Sequence, residues 1–155
     1  MITLRLTRYY GSGNITKSIL AIDNERGESL MECEARETRF YNYKKGERII
    51  GASYGCLGEG EYALKPASYP GNPVCLRIYN EPSRRGHHIV VGNEEKEQCF
   101  TKTIRLGIAT EDDPKHRRIS QFPKTKELFQ RIIYDNYLEE FLLVVSNEGV
   151  EIGEE

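Results

Sequence analysis

The sequence predicts an α+β fold: a β-rich, mostly antiparallel sheet or partial barrel with one main C-terminal helix (about 125–140) followed by a strand. Three observations lead there. Residues 2–8 set Ile2, Leu4 and Leu6 against Thr3, Arg5 and Thr7, the period-two alternation of a half-buried strand. Two apolar runs between Ile15 and Cys33 flank a polar Asp-Asn-Glu-Arg-Gly stretch at 23–27, which is hairpin chemistry. Phe129, Ile132, Ile133, Asn136 or Tyr137, and Phe141 recur at helical spacing, leaving Lys126, Glu127, Gln130, Arg131 and Asp135 outward.

The other elements follow in order. Residues 34–50 are charged and aromatic and read as an extended loop. Turn glycines at 58 and 60 precede a strand through Leu64. Residues 65–73 carry turn chemistry, with Pro70-Gly71 its clearest signal. Residues 74–80 and 87–91 read as strands joined by the segment 81–86. Thr125 is the predicted helix N-cap, because its hydroxyl can accept a bond from an early unpaired backbone N–H. The stripe Phe129, Ile133, Tyr137 is assigned to core packing, residues 141–147 to a buried strand, and the acidic end 148–155 to a loose tail. With no internal repeat and no low-complexity linker, residues 1–147 are expected to form one domain.

Composition narrows the function. The 155 residues are 30% charged and 38% apolar, values of a soluble globular chain long enough to bury a core. With 22 basic and 24 acidic side chains the net charge is near −2, which points to neither a nucleic acid nor a membrane surface and leaves open a local basic patch. No run approaches the ~18 apolar residues of a membrane span. The first ten residues lack the apolar stretch and cleavage site of a signal peptide, so a cytoplasmic location is expected. Delivery by a lysis or injection system would leave the same signature.

The four cysteines, at 33, 56, 75 and 99, form no C-x-x-C pair, which argues against a zinc ribbon or a thioredoxin-like site. Reduced thiols are expected, with Cys33 and Cys75 packed as small apolar groups. His87 and His88 are adjacent, so a strand sends them to opposite faces, and the remaining histidine is His116. Neither a metal site nor a cofactor is expected. The glycine-rich "GCLGEG" and "YYGSGN" lack the Lys-Ser/Thr ending and the following helix of a phosphate-binding loop, and read as turns.

From Ile15 to Ile133 the chain resembles a small domain family of unknown function found in phages, prophages and Bacteroidetes-type bacterial genomes. The hairpin "TKSILAI…MECEARE", the strand entrance "CLGEGEYAL", the segment "CLRIYNEPSRRGHHIVVGN" and the helix "TKELFQRII" carry the likeness. The family's segment closes in Gly-x-x-Ile-His-x-Gly-Asn, followed by a short acidic loop, Gly-Cys-Ile and a later glycine. Gly86, Ile89, Gly92, Asn93 and Gly107 match it, and Glu94, Glu95 and Glu97 supply the acidic loop. Two positions depart: Val90 occupies the histidine position, and Cys99 follows Gln98 where a glycine is expected, at a shorter spacing. The family's His…Gly-Cys order resembles in turn the active site of L,D-transpeptidases, in which a cysteine thiolate attacks a peptidoglycan stem peptide.

Three functions follow. The first is a non-catalytic, degenerate member of that family acting as a binding or structural module for an unidentified protein partner. The second is a cell-wall-active cysteine transpeptidase or carboxypeptidase, with Cys99 as nucleophile and His88 as base. Against it, the neighbouring glutamates raise a thiol pKa, and His88 stands ~7 Å along the strand from the motif position, the rise of two residues. The third is a binder of an anionic small molecule or nucleotide. Arg84, Arg85, His87 and Asn93 would serve it, together with Arg39, Lys44 and Lys45 from the basic, aromatic segment 36–48, which carries Arg36, Phe40, Tyr41, Tyr43 and Arg48. The basic stretch 115–118 would join them if the three segments converge. Otherwise the aromatics serve only to anchor a solvated loop.

Overall fold

The computed structural model describes residues 1–13, 15–38, 40, 56–79, 87–92, 103–110, 113 and 117–153. In chain order the elements are β1 (Ile2–Gly11), β2 (Thr16–Asp23), β3 (Ser29–Glu37), β4 (Gly60–Tyr69), β5 (Asn72–Ile78), β6 (His88–Val91), β7 (Thr103–Ala109), β8 (Ile119–Ser120), α1 (Phe122–Asp135), β9 (Phe141–Ser146) and β10 (Glu151–Ile152). Eight of the strands close a barrel in the order β1-β2-β3-β7-β6-β5-β4-β9, with β9 returning to β1. The pairs β6–β7 and β9–β1 are parallel, and the rest of the ring is antiparallel.

Alternation builds the interior. Leu4 lies opposite Ile22 on one side and Leu143 on the other, while Leu6 lies between Leu20 and Val145. All six are buried, and an eight-stranded ring is just wide enough for such side chains to fill. Closure completes the partial barrel expected from the sequence. Because β9 pairs with β4 as well as β1, the two strands that would otherwise be edges are both satisfied.

The helix packs outside this ring against β5, β6 and β7. Cys75 and Val90 alternate away from the interior, yet they are 0% and 3% exposed, because this part of the wall is covered. Two glycines make the approach possible. A Cβ on Gly92 would stand 2.7 Å from Phe122 Cε1, and one on Gly107 would stand 2.8 Å from Ile119 Cβ and 3.0 Å from Phe122 Cε1. Both make room for the first residue of α1.

Several local expectations are corrected. Residues 34–37 continue β3 rather than opening a loop, because the outer wall here is also buried and their charges are paired. Strand structure runs through 65–69 and resumes at Asn72, leaving Pro70-Gly71 alone as the turn, with Gly71 at φ 78. Pro66 is tolerated because β4 outlasts β9 beyond Leu64 and has one neighbour there. The helix starts at Phe122, since Pro123 needs no N–H in a first turn. Its N-cap is Gln121, in the left-handed region at φ 53, and Thr125 lies within the helix, donating its hydroxyl to Gln121 O at 2.9 Å.

The helix ends at Asp135, so Tyr137 falls beyond the buried stripe of Phe129 and Ile133 and is 64% exposed. β7 and β8 lie where the sequence analysis assigns no element. The tail is partly a strand: Glu151 and Ile152 pair with Tyr10 and Gly11 in parallel. No helix among the described residues is long and apolar enough to cross a membrane.

Candidate functional site

Of the residues singled out by sequence, Cys99, Asn93, Arg84, Arg85, Arg39, Lys44 and Lys45 lie outside the described residues. His87 and His88 are described. His87 is 9% exposed, and its carbonyl accepts the Ile78 N–H at 2.8 Å just before β6 begins. His88 opens β6 between Arg77 and Thr103, half-buried, with its ring tilted 48° against Tyr69 at 5.1 Å between centroids. Val90, two residues on and so on the same side of the strand, lies in the core. Position 90 is therefore a packing position. Among the described residues no group of His, Cys, Asp and Glu could hold a metal ion.

Two polar clusters dominate the described residues. The first closes one end of the barrel. A register shift between Arg8 and Tyr10 ends the regular part of β1, and Arg8 continues the inward series of Ile2, Leu4 and Leu6. Its Nε and Nη2 donate to the two carboxylate oxygens of Glu37 at 3.1 and 2.8 Å, and its Nη1 donates to Asn147 Oδ1 at 2.9 Å. The Leu57 N–H donates to Glu37 at 3.4 Å, and the Asn147 N–H donates to Glu59 at 2.6 Å. Burial is the largest influence on Arg8 and works to lower its pKa. Glu37, with smaller contributions from Cys56 and Tyr62, outweighs it, and the net shift is upward. Arg8 thus stays charged in a bidentate, fully desolvated pair. Both oxygens of Glu37 are engaged, so this cluster ties strands together and presents no free base.

The second cluster lies on the outer wall. Lys17, Arg36 and Arg105 stand in register across β2, β3 and β7, at 3%, 0% and 8% exposure. Like charges directly opposite each other are destabilising, so they need compensation. Glu34 supplies part of it, accepting from Arg36 Nη1 at 2.9 Å, from Arg117 Nη1 at 3.4 Å and from the Tyr9 hydroxyl at 2.5 Å. The Arg117 carbonyl accepts from Lys17 Nζ at 3.0 Å and Arg36 Nη2 at 2.8 Å, while its guanidinium lies 5.3 Å from the Tyr9 ring centroid. The Tyr9 hydroxyl is pushed up to about 12, by burial first and then by its bond to Glu34, so it is no base at neutral pH. Arg36 and Arg117 belong to two of the three basic segments whose convergence the anion reading requires, and they do meet.

Burial likewise pushes the Cys33 thiol up to about 12, helped by Glu34 and Glu32, and the Cys75 thiol up to about 11. Both are buried, as expected, and unreactive as nucleophiles near neutral pH. Sequence reasoning missed Arg8, Glu37, Lys17 and Arg105. For Arg8 a signal existed: a cation that keeps step with an inward-facing alternation must be buried, and therefore paired. Searches against family models, curated proteins and solved structures give no match to this chain.

Proposed function

We propose that the protein is a non-catalytic binding module, a degenerate member of the phage- and prophage-associated family that its motifs resemble. The observation that carries this reading is Val90. A general base must reach a proton in a substrate, and this position lies under α1, 3% exposed. The neighbouring motif glycines, Gly92 and Gly107, serve to seat Phe122. The motif frame in this chain has a packing purpose.

The test is alkylation of the intact protein with iodoacetamide at neutral pH, followed by mass mapping of each cysteine. Slow modification of Cys99, no faster than that of a free thiol in a denatured control, is the expected result. Selective labelling of Cys99 well ahead of that control, with turnover of peptidoglycan fragments abolished in Cys99→Ala, would instead establish the cysteine enzyme with His88 as its base.

A second reading, an anion binder, is favoured by one observation: the meeting of Arg36 and Arg117 on a wall that also carries Lys17 and Arg105. An anion held there would raise the melting temperature by mass action. A shift of several degrees with millimolar phosphate or nucleotide, halved or lost in Arg117→Ser, is the expected result. An unshifted melting curve across the panel removes this reading.

A further inference from the structure

We propose that the turn leaving α1 is a docking surface for a basic, amphipathic segment of a partner protein, which gives the binding-module reading a surface and a kind of ligand. Residues 134–140, "YDNYLEE", place three large apolar side chains in solvent: Tyr134 is 76%, Tyr137 64% and Leu138 96% exposed. Local structure holds them there. The helix ends with the Asn136 N–H on Ile132 O, and the Glu139 N–H then bonds Asn136 O at 2.9 Å, so Tyr137 and Leu138 occupy the tip of a closed turn. This tip precedes β9 at the end of the barrel opposite the Arg8–Glu37 pair, because Phe141 lies beside Ile2, at the start of β1.

Charge identifies the occupant. Asp135, Glu139 and Glu140 interleave with the apolar groups, and the stretch 134–140 contains no Lys, Arg or His. The last turn of α1 also lacks a basic residue. Helix C-terminal carbonyls carry a partial negative charge that cations normally offset, and here carboxylates are added to it. The Met1 amine, 3.1 Å from Glu139 Oε1, offsets part of this field. The remaining negative excess around an apolar tip fits a segment that alternates Leu-type anchors with Lys or Arg, whose cations can also lie over the faces of Tyr134 and Tyr137. It is a poor match for a second copy of the same patch, which would set carboxylates against carboxylates.

The chain has no tryptophan, so a Trp-bearing peptide reports contact without background. The full chain is titrated into a synthetic Lys/Leu amphipathic peptide carrying one Trp, and into its Glu/Leu counterpart. The expected result is a saturable blue shift with the basic peptide alone, weakened at least tenfold in Leu138→Ser and in Asp135→Lys. Leu138 has almost no packing to lose, so Leu138→Ser should keep the parent's melting temperature. Three outcomes overturn the proposal: no saturable shift, equal binding by parent and variants, or self-association in sedimentation that Leu138→Ser abolishes. The last would make a second copy the occupant. Cys99 alkylation should be the same in Leu138→Ser as in the parent, so failure of the docking surface and failure of the non-catalytic reading register separately.

Discussion

Glu37→Leu will destabilise the protein by about 3–5 kcal/mol in urea denaturation, the cost of removing one partner from a buried ion pair. The size follows from what is left behind. Arg8 is 1% exposed and donates through two of its nitrogens to Glu37, so the variant strands a guanidinium inside the barrel. Water cannot solvate it there without opening the end of the ring. The double variant Arg8→Met/Glu37→Leu removes both charges and should regain most of the loss. Recovery will be incomplete, because the Asn147 Oδ1 and the Leu57 N–H each lose a partner, at about 1–3 kcal/mol for a buried group left unmade. Equal stability of the single variant and the parent would mean that Arg8 finds another acceptor, and the account of this end of the barrel would then be wrong.

Phe129→Ala comes second, with an expected loss of about 3–5 kcal/mol. Phe129 is 0% exposed and belongs to the same apolar cluster as Val90 and Cys75, so its ring helps to hold α1 on the wall. Truncation leaves a void beneath a helix that has no side-chain N-cap bond and no basic residue in its last turn to compensate. Native-state hydrogen exchange gives the more discriminating measurement. Amides of α1 should lose protection while those of β1 and β2 keep theirs relative to global unfolding. A uniform loss across helix and barrel would mean that the helix is not a separable layer.

The sequence was most legible where one periodicity ruled one face. Ile2, Leu4 and Leu6 announced β1, the 23–27 turn announced the hairpin, and Phe129, Ile132 and Ile133 announced the helix. Legibility failed where both faces are buried. In β3, Cys33 and Ala35 point inward while Glu34 and Arg36 point to an outer wall where they pair, and the resulting mixture of charge reads as loop. β7 has the same two-sided burial, with Arg105 set between Ile104 and Leu106. Closure was illegible for a different reason. Nothing within 141–146 distinguishes a strand with one partner from a strand with two. The paired histidines drew attention to chemistry, while the structure sets the His88 ring against Tyr69 and buries Val90 in the apolar cluster that includes Phe129.

The strand that closes the ring also orders events during synthesis. β1 is made first and forms its hairpin with β2 at once, but its other edge waits for residues 141–146, which arrive after every other strand of the ring. Until then both β1 and β4 present unpaired backbone, and the join between the first and last ring strands carries the longest loop entropy in the ring. A ribosome that stalls short of Phe141 would release an open, sticky sheet, so the survival of this protein in a cell depends on finishing the chain before those two edges meet anything else.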